Sequence, residues 1–257
     1  MEFVLYHCHN RIAHITLNRP DKRNALNFQV VAELKEAFKQ AQNDANAKVI
    51  VLKAEGKVFC AGADLEYLQT LQKNTFEENL ADSSHLKELF ELIYMHPKIV
   101  IAQIHGHAIA GGAGLATVCD FSFSVPQAQF GYTEVKIGFI PAIVMVFLLR
   151  KIGEGRAKQL LLSGDLISAQ KAQEYGLINY IVEAEHLATE VEKFALHLCQ
   201  SNSAQSLATT KQMIAKVQEM PLSEALNFAA RQNATARESQ DCQKGIASFL
   251  EKKSLEW

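Results

Sequence analysis

The stretch AIAGGAGLATVCD, from Ala108 to Asp120, predicts a helix that begins on glycines after a buried strand. The strand is the apolar run KIVIAQI, from Lys98 to Ile104. Small residues at a helix start let unpaired backbone N–H groups approach another group closely, and the helix dipole favours negative charge there. No charged side chain appears before Asp120, so the backbone alone must supply any polar contact made by this turn.

A second glycine-rich turn, VFCAGADL (Val58–Leu65), follows the apolar run VIVLKA (Val49–Ala54) in the same way. Two such turns at strand ends can point unpaired N–H groups into one crevice, which makes an anion site. The chain has neither a Walker lysine nor a G-x-G-x-x-G motif, so the spacing favours an oxyanion formed during a reaction over a nucleotide phosphate. Close packing of strand against helix would require the same small residues, so spacing leaves both interpretations open.

Strand-like and helix-like runs alternate along the first part of the chain, which predicts an α/β layered core. The start, MEFVLYHCHNRIAHITLN, predicts a strand, a turn and a strand rather than a signal peptide. Helical periodicity occurs in Val30–Gln42 and His85–Met95, and the acid-rich Phe76–Ser84 predicts a mobile surface lid. After Glu183 the pattern is helical only. We therefore expect an α/β core over residues 1–190 and a helical C-terminal module over 191–257, which could serve in oligomerisation.

Composition excludes several classes of protein. Of 257 residues, 48% are hydrophobic and 21% are charged, which is typical of a globular protein. The formal net charge of −2 lacks the basic excess of nucleic-acid-binding proteins. No run reaches the ~18 apolar residues of a membrane span. Five cysteines without a C-x-x-C pair predict reduced thiols in the cytoplasm and no metal site.

Taken together, the motifs resemble the enoyl-CoA hydratase/isomerase (crotonase) superfamily, nearly from end to end. The resemblance implies a spiral of ββα units followed by a helical trimerisation module. It further implies an acyl-CoA thioester substrate, with coenzyme A as part of that substrate and no separate cofactor, and a homotrimer or homohexamer. The stretches that carry the resemblance are VFCAGADL, HGHAIAGGAGLATVCD (His105–Asp120), ITLNRPDKRNALN (Ile15–Asn27), FGYTEVKIGFIPA (Phe130–Ala142) and LLLSGDLISAQKAQEYGLINYIV (Leu160–Val182).

The resemblance also implies roles for single residues. The backbone N–H groups of Ala63 and Gly111 correspond to an oxyanion hole that holds the thioester carbonyl while an enolate forms. Glu134, in YTEVKIG, corresponds to the general acid/base. By analogy, the residues expected to bind coenzyme A or the acyl chain are Arg23, Ala61, Gly62, Asp64, Ile140, Pro141 and, on the last helix, Lys252.

One departure from the family pattern leaves the reaction open. The better-known hydratases carry a second glutamate at the position filled here by Gly114. The apolar run Ile137–Leu149 also replaces a Gly-rich, Thr-Gln-containing stretch and predicts a buried or ligand-facing segment with a more apolar acyl pocket. The family name favours hydration of an unsaturated acyl-CoA in fatty-acid or branched-chain metabolism. A single base favours double-bond isomerisation, and a non-catalytic CoA- or RNA-binding relative is the alternative from another class.

Overall fold

The computed structural model describes residues 1–257, and its framework is a six-stranded sheet. The strand order is β1-β2-β3-β4-β6-β9, with β1 antiparallel to β2 and every other pair parallel. The bounds of these strands are β1 Val4–His9, β2 Ile12–Leu17, β3 Val49–Ala54, β4 Ile99–Ile104, β6 Phe121–Ser124 and β9 Tyr180–Ile181. The strand–turn–strand start and both predicted apolar strands are confirmed.

A smaller sheet of three strands lies beside the first, in the order β5-β7-β8. Its strands are β5 Ala108–Ile109, β7 Gln129–Gly131 and β8 Ile167–Ser168. Strand β5 leads directly into the glycine-rich helix, and an isolated bridge pairs Cys60 with Ala108. The smaller sheet therefore brings the two glycine-rich turns side by side.

Ten α-helices cover the sheets and form the C-terminal region. Their bounds are α1 Phe28–Asn43, α2 Leu65–Leu71, α3 Phe76–Tyr94, α4 Gly111–Val118, α5 Ala142–Ser163, α6 Ala169–Tyr175, α7 Ala184–Ser201, α8 Ala204–Val217, α9 Leu222–Glu238 and α10 Gln240–Leu250. Short 3₁₀ helices occupy Pro20–Lys22 and Glu134–Ile137. No helix is both long and apolar enough to cross a membrane.

The predicted lid is corrected by the structure. Residues 76–84 form the first half of helix α3, which begins with a capping box between Thr75 and Glu78. The Thr75 hydroxyl accepts from the Glu78 N–H, and the Glu78 carboxylate accepts from the Thr75 N–H at 2.7 Å. The acidic residues at this end also match the positive end of the helix dipole. Local capping therefore makes a helix of a segment whose composition predicted a mobile loop.

The core is one cluster of 53 buried residues between the large sheet and the helices. Helix α7 packs on this sheet through Leu187, Val191 and Ala195, all of which are buried. The division expected at residue 190 falls inside this helix. By contrast, α9 and α10 contain no buried residue. The division into two modules remains a prediction.

Candidate active site

Two unpaired backbone N–H groups lie where the glycine-rich turns meet. The N–H groups of Ala63 and Gly111 donate to no protein acceptor. A Cβ built on Gly62 would lie 3.5 Å from the Gly111 nitrogen, so the two turns are in direct contact. Gly62 has a φ of +89°, a conformation that favours glycine. The structure thus brings together the two donors that the sequence predicted as an oxyanion hole.

The turn carrying Ala63 is held by a short parallel bridge to Leu26. The Leu26 N–H donates to the Gly62 carbonyl at 2.7 Å, and the Asp64 N–H donates to the Leu26 carbonyl at 2.8 Å. These bonds use the backbone groups on either side of Ala63, whose own N–H faces away from Leu26. Ala63 is exposed, as a donor to a substrate must be.

The carboxylate of Asp64, a residue expected to bind coenzyme A, makes hydrogen bonds within the protein. One carboxylate oxygen accepts from Arg19 Nη1 at 2.6 Å, and the other accepts from the Glu66 N–H at 2.9 Å as the N-cap of α2. Burial raises the pKa of Asp64, but the Arg19 guanidinium and the helix N–H groups bring it to a net lower value. Both oxygens are engaged within the protein, so Asp64 fixes the turn behind Ala63.

Ala110, the residue before Gly111, has strained backbone geometry. Its φ is +51° and its ψ is −122°, a region that a residue with a Cβ rarely adopts. Hydrogen bonds hold it there: the Ala110 N–H donates to Gly131 at 2.7 Å, and its carbonyl accepts from Gly114 at 2.9 Å. Such strain costs on the order of 1–3 kcal/mol and tends to occur at functional sites. Here it turns the chain from β5 into α4 with the Gly111 N–H left free.

Glu134 is a half-buried carboxylate at the start of a 3₁₀ helix. Its Oε2 atom is buried and has no hydrogen-bond partner in the protein. Burial raises the pKa of Glu134 above its ordinary value, and no cation lies within 4.0 Å to oppose that effect. A carboxyl group in this state stays protonated to a higher pH than an exposed glutamate does.

A buried hydroxyl pair joins the Glu134 segment to helix α4. Thr117 Oγ1 donates to the Ala113 carbonyl at 2.8 Å, so the Tyr132 hydroxyl, 2.6 Å away, is the donor to Thr117. Tyr132 is fully buried and lies two residues before Glu134. The segment that carries Glu134 and the helix with the free Gly111 N–H are thus anchored to each other.

The side of α4 at Gly114 is packed with apolar atoms. A Cβ on Gly114 would lie 2.5 Å from Val144 Cγ1 and 3.1 Å from the Phe90 ring. Val144 and Phe90 are themselves buried. The absence of a second glutamate at this position is therefore matched by side chains that fill the space such a glutamate would need.

We expect Gly114→Ala to destabilise the protein, because its methyl group must displace Val144. Overpacking of a core costs about 1–3 kcal/mol, which exceeds the gain of up to about 1 kcal/mol from replacing glycine in a helix. The measurement is the free energy of unfolding in urea. A variant more stable than wild type would show that Val144 moves aside freely.

The residues expected to bind coenzyme A are brought together only in part. The Ala61 N–H donates to the Arg23 carbonyl at 3.1 Å, which places the exposed Arg23 beside the Ala61–Gly62 turn. Lys252 lies beyond the end of α10 rather than on it, in a turn with φ of +53°. Its only hydrogen bond joins its N–H to Phe249, and nothing connects it to the site.

The start of the apolar run after Glu134 is exposed, which argues against the buried alternative for these residues and leaves the ligand-facing one. Ile140 is 65% exposed, and Phe139 and Ile137 are also exposed. Pro141 precedes helix α5, and its carbonyl accepts from Met145 at 3.0 Å. These side chains lie next to Glu134 in the chain but are not part of the core.

Sequence reasoning missed the residues that support the site. Arg19 lies in the motif Ile15–Asn27, from which the resemblance indicated only Arg23 as a binding residue. The strained backbone of Ala110 cannot be predicted from amino-acid composition. The structure contains no cluster of three or more His, Cys, Asp or Glu side chains that could hold a metal ion.

Comparison with known proteins gives a consistent result. The family model described as enoyl-CoA hydratase/isomerase matches residues 7–257. A protein of Thermus thermophilus, provisionally named an enoyl-CoA hydratase, is 40% identical over 94% of this chain and 95% of its own length. A crotonyl-CoA hydratase of Syntrophomonas wolfei is 32% identical over 98% of this chain and 96% of its own length. The crystal structure of an enoyl-CoA hydratase from Shewanella pealeana superposes with a TM-score of 0.93 at 30% identity, covering 99% of this chain and 96% of that one.

Proposed function

This chain belongs to the enoyl-CoA hydratase/isomerase family and is a hydratase or isomerase with the crotonase fold; on that premise we propose that it hydrates an unsaturated acyl-CoA thioester, using Glu134 as general acid/base. The observation that carries the proposal is the buried, unpartnered Oε2 of Glu134. A carboxyl group with raised pKa and no protein partner is suited to exchange a proton with a substrate carbon.

In this proposal the unpaired N–H groups of Ala63 and Gly111 receive the thioester carbonyl oxygen. Negative charge accumulates on that oxygen when the carbon next to the carbonyl loses a proton, or when water adds to the far carbon of the double bond. Fixed backbone donors stabilise such an oxyanion without having to reorganise, and one donor contributes on the order of 10²–10³ in rate. Coenzyme A belongs to the substrate, and the proposed chemistry requires no other cofactor.

Hydration is the first candidate because of the relatives. The proteins from Thermus thermophilus and Syntrophomonas wolfei bear the name hydratase, and both align over nearly the whole chain. In hydration, Glu134 takes a proton from water as the water oxygen bonds to the far carbon of the double bond. Glu134 then returns a proton to the carbon next to the carbonyl, so the carboxyl group ends in its starting state.

Double-bond isomerisation is the second candidate because of Gly114. Val144 and Phe90 fill the space beside it, so α4 offers no second carboxylate to orient water. Isomerisation needs one base that takes a proton from one carbon and returns it to another. Glu134 alone meets that requirement.

Absorbance of the conjugated thioester distinguishes the candidates. Incubation with crotonyl-CoA lowers this absorbance if water is added, whereas a 3-enoyl-CoA gains it if the double bond shifts. We expect a loss with crotonyl-CoA as the faster process. If the absorbance does not change with any short, medium or branched enoyl-CoA, the proposal is overturned in favour of a non-catalytic CoA- or RNA-binding protein. Of these two, the net charge of −2 disfavours RNA binding.

We further propose that the protein is a homotrimer or homohexamer in the cytoplasm. Helices α9 and α10 bury no residue, and they leave Leu222 76% and Phe249 83% exposed. Apolar surface of this kind is typical of an interface between subunits. All five cysteines are free thiols, which supports a reducing compartment.

The oligomer makes a direct prediction. Light scattering at micromolar concentration is expected to give three or six times the chain mass of 28.6 kDa. Phe249→Asp places a charge on the exposed apolar face and is expected to lower that mass. A monomeric wild-type protein would contradict the proposal.

A further inference from the structure

Lys151 on helix α5 directs its ammonium group at the C-terminal end of helix α4. Its Nζ donates to the carbonyls of Cys119 at 2.9 Å, Thr117 at 3.0 Å and Ala116 at 3.4 Å. An ammonium group has three protons, so each carbonyl can take one. One side chain thus contacts three carbonyls at this end of α4, where helix geometry leaves no intrahelical donor. Of these three, the Ala116 carbonyl also accepts from the Ser122 hydroxyl at 3.2 Å.

The surroundings make this contact costly to replace. Residues 112–119 are all buried, so solvent cannot satisfy the carbonyls that Lys151 serves. Lys151 has no carboxylate within 4.0 Å. The nearest candidate, Asp120, accepts from Lys211 at 2.7 Å and from the Val100 N–H at 2.7 Å. The positive charge of Lys151 is therefore placed on a helix end rather than on an acid.

The two ends of helix α4 differ in the charges that surround them. The C-terminal end, where the helix dipole is negative, contacts a cation, whereas the N-terminal end has no acidic residue in its first turn and keeps the Gly111 N–H free. The helix has eight residues, so its ends are only about 12 Å apart. A charge that offsets the negative end leaves the field of the positive end unopposed at Gly111.

We propose that Lys151 is a positioning residue for the oxyanion hole: its ammonium fixes the last turn of α4 and offsets the negative end of the helix dipole, so that the Gly111 N–H polarises the thioester carbonyl. The proposal rests on the proposed function, since it assigns Lys151 to the same site. Lys151 does not contact the substrate and acts through α4.

The kinetic test compares three substitutions at one position. Lys151→Gln keeps a hydrogen-bond donor without the charge, Lys151→Met removes both, and Lys151→Arg keeps the charge. We expect kcat for the enoyl-CoA to fall about tenfold in the Gln and Met variants with KM changed less than twofold, and to recover within about threefold in the Arg variant. Lys158→Met is the matched control, because Lys158 lies on the same helix and is exposed.

A spectroscopic measurement separates polarisation from mere structural support. The absorbance of 2,4-hexadienoyl-CoA moves to longer wavelength when its carbonyl is polarised. In a Glu134→Gln background, which keeps the ligand intact, the shift on binding is expected to be smaller with Lys151→Gln and unchanged with Lys158→Met. If the Gln variant does not fold, the Arg variant decides: a retained shift supports the proposal and a reduced shift overturns it.

Two results would overturn the inference. One is wild-type kcat in the Gln and Met variants, and the other is a lowered kcat with an unchanged spectral shift. Failure of the proposed function is distinct, because the wild-type protein would then turn over no enoyl-CoA at all. Turnover by wild type together with unaffected Lys151 variants would remove only the role of Lys151.

Discussion

Glu134→Gln is expected to lower turnover of an enoyl-CoA by at least about 10²-fold, because it keeps the shape of the side chain and removes the titrating proton. General acid–base catalysis typically contributes 10²–10⁴-fold. Affinity for a non-reacting acyl-CoA should barely change, since the proposed contacts to the carbonyl come from the backbone of Ala63 and Gly111. Initial rates and ligand titration on the same preparation provide both quantities.

The same variant is expected to be more stable than wild type at neutral pH. Burial raises the pKa of Glu134 above its ordinary value of 4.5, so the folded state binds this proton more tightly than the unfolded state. Wild-type stability therefore falls as pH rises through the interval between the two values. The amide side chain of the variant cannot ionise, so its advantage in melting temperature should be present at pH 8 and absent below pH 4.5.

Glu66→Gln is the matched control, because Glu66 is exposed and pairs with Lys22 outside the turn. It is expected to leave turnover and the pH dependence of melting unchanged. Wild-type turnover in Glu134→Gln would remove Glu134 from the mechanism. A stability difference that persists at low pH would show that the cause is not ionisation.

Gly112→Ala is expected to lower turnover about 10²-fold by separating the two backbone donors. A Cβ at this position would overlap the carbonyl oxygen of Cys60 and lie 2.8 Å from its carbonyl carbon. That oxygen already accepts from the Ile109 N–H at 3.0 Å, so it has little freedom to move. Helix α4 must shift away from the segment leading to Ala63, and loss of one donor costs 10²–10³ in rate.

The Gly112→Ala variant should also unfold more easily, by about 1–3 kcal/mol for an overpacked core. Gly155→Ala is the matched control, since a Cβ on Gly155 in α5 meets nothing within 4 Å. Turnover and the free energy of unfolding are measured for both variants. Unchanged turnover in Gly112→Ala would mean that the spacing of Gly111 and Ala63 does not limit the reaction.

Much of the framework follows from local sequence. Buried parallel strands are continuous apolar runs, which is why the sequence predicts β3 with its observed bounds, Val49–Ala54. A helix start always leaves N–H groups without intrahelical acceptors, so the glycines after β5 already indicate a free donor at Gly111. The resemblance then indicates Ala63 and Glu134. In the structure, the N–H groups of Ala63 and Gly111 and the Oε2 atom of Glu134 have no partner within the protein, as the prediction requires.

Composition is a poor guide where a capping motif or a distant partner decides. The acid-rich stretch at residues 76–84 is helical because Thr75 and Glu78 cap it, and Asp64 is engaged by Arg19, 45 positions earlier. Lys252 lies two residues beyond the end of the helix on which the resemblance places it. The T-x-x-E capping box at Thr75 is a local pattern that could have indicated the helix, whereas the partner of Asp64 is distant in sequence and no local pattern indicates it.

Residue type and local spacing are enough to establish the α/β framework, the two glycine turns and the lack of a second glutamate at position 114. Residue type and spacing determine these features because backbone geometry relates them directly to strands, helix starts and free N–H groups. Packing of the folded chain was needed to establish that Val144, 30 positions away, fills the space beside Gly114, and that Lys151 satisfies the far end of α4. Such contacts join segments whose separation in sequence carries no distance information, so they are fixed only when the core packs.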